Sequence, residues 1–302
     1  MTKLLDTLNA RYPLRFDTLE HLRDGGSASY AGYSSSGGKY FLRNIKPAFF
    51  DTVVTGTEIQ MFLHEKDFPV PLIVRTKDGS PSFTEDDRLY ILYDYVEGED
   101  SDPKRNAEEA GALTGRLHRE LQSYPGSLVE RDKRFYIDRY INILRGSDYP
   151  RTDEFSAYGD ALWEKVQHLP RGVCHGDLYC GNVRRTPGGA LVVHDFDTAC
   201  VGLLMYDIAL FCNQTNYFLL DEKDLERSNT VLSQFLPEYT KYRPVSEAER
   251  NAFHALIALQ HFATQATIME LYGYSCLSGA ALDNQLDWLT RWRNLCEWDK
   301  HL

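Results

Sequence analysis

The first hundred residues alternate hydrophobic and polar positions with a strand-like period, broken by short turns. Residues 16–23 and 39–45 each predict a strand, with a glycine-rich turn at 24–26, a further strand and a turn at 34–38 between them. A short amphipathic helix is expected before them, over residues 1–15. A helix over about 58–66, capped by Thr55-Gly56-Thr57, and strands over 70–77 and 88–96 follow. The pattern predicts a five-stranded antiparallel region that ends near Gly98.

From Pro103 onward the apolar positions recur with a helical period. Leu113, Leu117 and Leu121 are spaced by four residues, which is typical of one helix face. We expect helices over about 107–123, 134–144, 153–169, 206–219, 224–235, 246–271 and 281–300. A polar link over residues 97–100 separates the two patterns. The fold class is therefore α+β, with a small β-rich part over residues 1–98 and a larger helical part over 99–302.

A spaced pair of polar motifs interrupts the helical part. The segment His175–Asn182 is followed thirteen residues after Asn182 by Asp195. The stretch between them predicts a hairpin that turns at Gly188, so Asn182 and Asp195 should return to one end of it. Asp177 lies one short loop away. Two acids and an amide oxygen that converge suit Mg²⁺ and a general base.

These motifs carry a family resemblance. HGDLYCGNV, followed by VVHDFDTACVGLLMYDIA, resembles the aminoglycoside phosphotransferase/choline kinase superfamily, relatives of the eukaryotic protein kinases. The homoserine-kinase-like and spore-coat-kinase-like bacterial members are the most similar in character. The resemblance extends from about Phe16 to about Phe211 and implies a two-lobed protein-kinase-like fold. The Gly-Asp-Pro that the family often carries is absent from residues 201–205, so no single relative's substrate is transferred.

The resemblance also implies roles for individual residues. Asp177 would be the catalytic base, and Asn182 and Asp195 would hold Mg²⁺ against the nucleotide phosphates. His175 would be structural, tying its loop to the core. Asp207 would brace the catalytic loop.

Two further segments would bind the nucleotide, which we expect to be ATP or GTP. Backbone amides of a glycine-rich turn can approach phosphates closely, although most such pairs are simple hairpin turns; the residues are Gly25, Gly26 and Ser27. The resemblance implies a hinge that bonds the purine edge through the backbone of Asp94, Tyr95 and Val96. An edge strand with alternating aromatic residues would have the same sequence.

A cation that pairs with the phosphates is also required. The resemblance assigns this role to Arg43, with Lys39 and Lys46 as alternatives, and Arg binds phosphate well. Glu58 is the carboxylate expected to orient Arg43, although an acid near a helix start also favours the helix dipole. Asp197 is left open as a second metal contact or as the partner of a helix end or an Arg.

Net charge and apolar runs limit the expected partners, and cysteine spacing bears on disulfide formation. The chain has 302 residues and a net charge of −11, with no basic cluster, so nucleic acid is not an expected partner. Neither a signal-type segment nor an apolar run of membrane length occurs, which predicts a cytoplasmic protein with no membrane partner. The six cysteines form no Cys-x-x-Cys pair and are expected to be free thiols.

The leading hypothesis is an ATP-dependent, Mg²⁺-requiring kinase that phosphorylates a hydroxyl of a small molecule, of the aminoglycoside, choline or homoserine-like class. Polar candidates for contacting the acceptor are Asp221, Glu222, Gln260 and His261. A Ser/Thr protein kinase of the same fold is the alternative, against which the short, apolar tract after Asp197 argues.

Two other hypotheses remain. His175 and Asp177, together with the His194-Asp195-x-Asp197 segment, supply the ligand types of a two-metal hydrolase. That hypothesis leaves the glycine turn and the hinge unexplained. A nucleotide-binding scaffold without turnover is the last possibility, which the retained acids and Asn182 oppose.

Overall fold

The computed structural model describes residues 2–24, 27–276 and 278–296. The chain divides into two compact units, one made of the chain up to Ser101 with Gly181–Ala199, the other of Asp102–Cys180 with the chain from Cys200 onward. The predicted division after Gly98 differs from this one mainly in where it places the hairpin that follows Cys180. The hairpin after Cys180 belongs to the first unit, because its strand pairs with residues 99–100.

The helices are α1 (Thr2–Arg11), α2 (Phe50–His64), α3 (Pro103–Leu121), α4 (Arg139–Gly146), α5 (Thr152–Val166), α6 (Leu204–Cys212), α7 (Asp224–Tyr239), α8 (Glu247–Asn251), α9 (Phe253–Tyr272) and α10 (Gly279–Leu295). The strands are β1 (Phe16–Arg23), β2 (Ser27–Ser34), β3 (Lys39–Ile45), β4 (Ile73–Val74), β5 (Phe83–Glu85), β6 (Arg88–Asp94), β7 (Glu99–Asp100), β8 (Arg171–Cys174), β9 (Val183–Arg185), β10 (Leu191–Val193) and β11 (Cys200–Leu203). The predicted α+β class is confirmed, with an antiparallel sheet in the N-terminal region and helices in the C-terminal region.

The first unit is built on a six-stranded antiparallel sheet in the order β1-β2-β3-β6-β4, with β5 also paired to β6. Successive side chains of a strand point to opposite faces, so each face builds its own core. On the face covered by α1, Leu42 packs with a cluster that includes Leu8, Tyr12, Phe16, Leu19, Tyr90 and Leu92. On the face covered by α2, Ile45 packs with Val53, Ile73, Leu89, Ile91 and Tyr93. Arg43 alternates with Leu42 and therefore lies on the α2 face.

Two predictions in this unit are corrected. Helix α2 begins at Phe50 rather than near Glu58, because the turn Pro47–Phe49 leads directly into it and Asp51 in its first turn favours the helix dipole. The strand expected over residues 70–77 shrinks to β4, because Thr76 closes a turn with Ser80, whose carbonyl accepts from the Thr76 N–H at 2.9 Å.

The second unit is helical and packs around α9, most of whose side chains are buried. Helix α3 begins with Pro103 at its first position, and the side chain of Asp102 before it accepts a hydrogen bond from the Lys104 N–H at 3.0 Å. A Cβ added to Gly111 would lie 2.2 Å from the carbonyl oxygen of Phe235, so α3 and α7 approach each other at backbone distance. The two-stranded pair β8 and β11 completes this unit.

Helix α6 ends at Cys212, seven residues before the predicted end. The carboxamide of Asn213 accepts from the Thr215 N–H at 2.9 Å, and that of Asn216 accepts from the Phe218 N–H at 2.9 Å. Such side-chain acceptors favour turns over helix. Within the described ranges no helix is long and apolar enough to cross a membrane. The last helix is described to Leu295, and residues 297–300 of its predicted span lie outside the described residues.

Candidate active site

The predicted hairpin forms and brings the two candidate metal ligands to its base. Val183 of β9 pairs with Val193 of β10, and the Asn182 carbonyl accepts from the His194 N–H at 3.0 Å. Asn182 is 5% exposed, and the side chain of Asp195 is 37% exposed. An amide oxygen and a carboxylate are hard oxygen donors of the kind that Mg²⁺ binds, so these residues fit that ion.

The turn that carries Asp195 is held by close backbone packing. Asp195 has φ +66°, a left-handed conformation that Asp adopts more readily than most residues, and it leads into the 3₁₀ turn Phe196–Thr198. A Cβ added to Gly56 of α2 would lie 2.8 Å from the Phe196 carbonyl carbon and 3.0 Å from the Asp197 nitrogen. Only glycine permits this approach, so α2 fixes the position of the turn.

Arg43 of β3 is the cation at this turn. Its Nη1 and Nη2 donate to the two carboxylate oxygens of Asp197 at 3.0 and 2.6 Å, and Nη1 lies 3.7 Å from Asp195 Oδ1. Burial disfavours the charged form of Arg43, but the hydrogen bonds and charge of Asp197 outweigh it and raise the Arg43 pKa. The neighbouring Tyr93 is buried, and this raises the pKa of its hydroxyl to about 12.

The predicted pairing of Arg43 with Glu58 is corrected. Glu58 is exposed on α2, whose buried face includes Gly56, Thr57 and Ile59. Because α2 begins eight residues earlier than expected, Glu58 falls in its interior and on the solvent side. Arg43 pairs instead with Asp197, and an Arg partner is one of the contacts left open for that residue.

The two alternative cations differ in their surroundings. Lys39 pairs with Glu97 at 3.1 Å and stacks over the Tyr95 ring at 3.7 Å, and Lys46 is exposed after the end of β3. Arg43 contacts both carboxylates of the turn. Its assignment as the phosphate-pairing cation stays a prediction, now with a position that suits it.

The predicted glycine turn and hinge are only partly described. Gly25 and Gly26 lie outside the described residues, and the backbone of Ser27 begins β2, paired with Ile45. In the hinge, the Asp94 N–H donates to the Leu72 carbonyl at 2.9 Å and the Tyr95 N–H to the Lys39 carbonyl at 3.2 Å. Those two N–H groups already have acceptors, so a purine edge would have to use the Val96 N–H or the hinge carbonyls.

In the second unit, Asp207 holds the loop that carries Asp177. Its Oδ1 accepts from the Gly176 N–H at 2.8 Å, and its Oδ2 from the His175 N–H at 2.7 Å. Oδ2 also lies 3.0 Å from His118 Nε2. Burial opposes the ionised form, but the hydrogen bond and charge of His118 and the other contacts outweigh it and lower the Asp207 pKa. These are the contacts that a bracing role requires.

A buried polar chain continues from Asp207 into the helices. His118 Nδ1 lies 2.7 Å from the Tyr239 hydroxyl, which accepts from Arg243 Nε at 2.8 Å, and Arg243 also pairs with Glu249. The sequence analysis did not predict these buried polar contacts. The available signal was an ionisable residue, His118, on the apolar face that Leu117 and Leu121 also build.

Asp177 is half-buried, and its N–H donates to His175 Nδ1 at 3.3 Å. The carbonyl of Gly176 accepts from Nη1 of Arg131 at 3.0 Å, a contact that sequence reasoning also missed. Arg131 is 8% exposed and stacks on the Phe135 ring at 4.0 Å. The loop that presents Asp177 is thus held from both its N–H and carbonyl sides.

The acceptor candidates have mostly structural contacts. Gln260 accepts from Asn213 at 3.0 Å. His261 is stacked between Tyr217 and Trp288, and burial lowers its pKa to about 3, so it is neutral. Asp221 and Glu222 are exposed. Throughout the described residues, no three His, Cys, Asp or Glu side chains are grouped to hold a metal ion, which is the cluster that a two-metal hydrolase requires.

Comparison with known proteins finds kinases that are similar to this chain. Homoserine kinase of Gluconacetobacter diazotrophicus is 32% identical over 134 residues, which cover 43% of this chain and only 40% of that protein. Homoserine kinase of Hyphomonas neptunium is 26% identical over 297 residues and 87% of each chain. The structure of amicoumacin kinase hAmiN, in complex with AMP-PNP, Ca²⁺ and Ami, matches with a TM-score of 0.76 at 18% identity over 99% of this chain and 93% of that one.

The structural likeness shows the kinase-like fold that the motifs imply. The model of the phosphotransferase enzyme family designated APH matches residues 18–245, about three quarters of the chain. That match includes β3, the hairpin and the loop held by Asp207. On this evidence the chain belongs to the phosphotransferase enzyme family.

Proposed function

We propose that this protein transfers the γ-phosphoryl group of ATP to a hydroxyl of a small molecule. The observation that carries the proposal is the contact of Arg43 with the Asp195–Asp197 turn, at the base of the hairpin that also holds Asn182. Phosphoryl transfer needs positioned phosphates, a metal that neutralises charge and a carboxylate near the attacking hydroxyl. Each requirement has a candidate residue in this chain.

In the first unit, Asn182 and Asp195 would hold Mg²⁺, which when bound neutralises charge on the nucleotide phosphates. Arg43 would pair with phosphate oxygens through its planar fork of N–H donors. The hinge around Val96 would bind the purine base of the nucleotide.

In the second unit, Asp177 would accept the proton of the acceptor hydroxyl or orient it. The hydroxyl oxygen bonds to the γ-phosphorus, the bond to the β–γ bridging oxygen breaks, and ADP leaves with that electron pair. Asp207 and Arg131 would keep Asp177 in place by fixing the backbone of His175 and Gly176 just before it, and His118 would support Asp207. Such a brace reduces the motion of the base relative to its target.

The relatives and the charge of the chain both bear on the acceptor class that we propose. Two of the relatives described above are homoserine kinases, and homoserine is a zwitterionic amino alcohol. The net charge of −11 favours acceptors with a net positive charge, such as choline and aminoglycosides. We therefore place the acceptor among small amino alcohols, with homoserine first in a panel that also holds choline and aminoglycosides. A protein substrate has less support, because residues 200–212 after the turn form β11 and the buried helix α6.

A thermal-shift titration tests the nucleotide part. ATP, GTP and ADP are added separately, each with and without Mg²⁺. A ligand at about 100 times its Kd stabilises the folded state by about 2.7 kcal/mol, so Tm should rise with nucleotide and rise further with Mg²⁺. A shift with Mg²⁺ or Zn²⁺ alone and none with nucleotide would contradict the proposal.

ADP release over the acceptor panel tests the transfer part. Release that depends on one amino alcohol supports the proposed class. Nucleotide binding without ADP release from any hydroxyl compound would instead identify a scaffold without turnover.

A further inference from the structure

The ion pair of Arg43 has a geometry that loosely placed surface pairs lack. Both Nη atoms of Arg43 meet both carboxylate oxygens of Asp197, at 3.0 and 2.6 Å. The side chains are 14% and 22% exposed, so water screens the pair only partly. A two-point contact of this kind fixes the plane of the guanidinium as well as its position.

Asp197 is itself held firmly. It lies in the turn Phe196–Thr198, where Phe196 is 2% exposed and Gly56 of α2 approaches the backbone of Phe196 and Asp197. The pair therefore links β3 to a turn that α2 supports. The partners are 154 residues apart in the chain, so this link is a feature of the folded unit.

The same turn also carries the candidate metal ligand Asp195, 3.7 Å from Arg43 Nη1. The two carboxylates are thus used differently. Asp197 accepts hydrogen bonds from both Nη atoms of Arg43, whereas Asp195 has only the longer contact with Nη1. Asp197 therefore has one lone pair of each oxygen engaged by Arg43 and part of its charge neutralised, which makes it a weaker donor for a divalent ion than Asp195.

We propose that Asp197 is the positioning residue of this site, which holds Arg43 ready for the nucleotide phosphates and does not ligate metal. The inference rests on the proposed function and assigns the role expected of Glu58 to a residue of the metal-ligand turn. Arg43 stays oriented without nucleotide, so less ordering is required when phosphate binds. Asp197 acts through Arg43 and makes no contact with the reacting atoms.

The test is a double-mutant cycle on ADP affinity. ADP binding is measured by isothermal titration calorimetry, with EDTA and then with Mg²⁺, for wild type, Asp197→Asn, Arg43→Lys and the double variant. Arg43→Lys keeps the charge but loses the fork. Circular dichroism and Tm establish that each variant is folded.

We expect Asp197→Asn to weaken metal-free ADP binding by about tenfold, and the double variant to bind no more than about threefold more weakly than Arg43→Lys alone, as for coupled residues in contact. Asp197→Glu, which keeps the carboxylate, should recover part of the loss. Asp195→Asn is the matched carboxylate-to-amide control, and it should weaken ADP binding only when Mg²⁺ is present.

Two results would overturn the inference while leaving the proposed function standing. One is an unchanged metal-free affinity in Asp197→Asn together with a raised Mg²⁺ requirement, which would make Asp197 a ligand. The other is strict additivity of the two substitutions, which would show that they act separately. If wild type binds no nucleotide with or without Mg²⁺, the proposed function fails and the inference fails with it.

Discussion

Replacing Asp207 with Asn tests whether its carboxylate braces the loop that carries Asp177. The carboxylate is fully buried and accepts three hydrogen bonds, two from backbone N–H groups and one from His118. Asn has nearly the same shape but only one oxygen. In either orientation its NH₂ group faces the N–H of His175 or of Gly176, so one donor meets another donor.

The cost can be worked from these contacts. A hydrogen bond to a charged group contributes about 1.5–3 kcal/mol, and a buried donor left without an acceptor costs a further ~1–3 kcal/mol. Relaxation of the loop recovers part of this sum. We therefore expect Asp207→Asn to lower the free energy of unfolding by about 3–5 kcal/mol, which is the usual range for breaking a buried charged pair.

Urea unfolding, followed by tryptophan fluorescence and circular dichroism, measures the change. Trp163, Trp288 and Trp292 all belong to the second unit, so fluorescence reports on the unit that contains Asp207. Asp287→Asn, the same change at an exposed position of α10, is the control and should stay within about 0.5 kcal/mol of wild type. A free energy of unfolding for Asp207→Asn within about 1 kcal/mol of wild type would refute this prediction. A loss that small would mean that the charged carboxylate does not stabilise the loop as proposed.

The same variant predicts a pH dependence. The folded-state pKa of Asp207 is lowered relative to an unfolded value of about 3.9. The ionised carboxylate therefore stabilises the fold above about pH 4, and this contribution is lost as the pH falls through the folded-state pKa. The stability difference between wild type and Asp207→Asn should be full at about pH 7 and shrink below about pH 4. A difference that grows on acidification would contradict this sign.

Two further substitutions test the metal-ligand turn. Gly56→Ala adds a Cβ 2.8 Å from the backbone of Phe196. Overpacking of this kind costs about 1–3 kcal/mol, and the higher helix propensity of Ala offsets about 1 kcal/mol of that cost. We therefore expect Tm to fall by a few degrees and the Mg²⁺-dependent affinity for nucleotide to weaken. Gly146→Ala, where the added Cβ meets no atom within 4 Å, is the matched control and should not lower Tm, and equal Tm values for the two variants would argue against the close packing of α2 on the turn. Asp195→Ala should raise the Mg²⁺ concentration needed for half-maximal ADP release, or abolish release, and an unchanged Mg²⁺ dependence would exclude Asp195 as a ligand.

The order of hydrophobic and polar residues was enough to predict those strands and turns whose ends are marked by nearby residues. Strands β1 and β3 have the predicted bounds, since alternation and flanking turns mark both ends. The hairpin formed as predicted because Thr186-Pro187-Gly188-Gly189 is strong turn chemistry. Where a helix start or a side-chain turn decided the outcome, as at Phe50 and Asn213, the prediction was displaced by several residues.

The candidate site shows the same limit more sharply. Asp177, Asn182 and Asp195 could be named because their motif is contiguous or nearly so. The pairing of Arg43 with Asp197 could not be predicted, because a strand residue meets a turn 154 residues later and only tertiary packing decides between two acidic partners. The role of His118 was hidden for the same reason, since its partners lie on helices distant in the chain.

The most direct test of the central claim compares ADP release by wild type and by Asp177→Asn, with the amino alcohol that gives the fastest release in wild type. Loss of a general base costs about 10²–10⁴ in rate, so turnover should fall by that factor while the Kd for Mg²⁺–ADP stays within about threefold of wild type. Unchanged turnover by a folded Asp177→Asn protein would contradict the account, because the chain would then transfer phosphate without the base that the account requires.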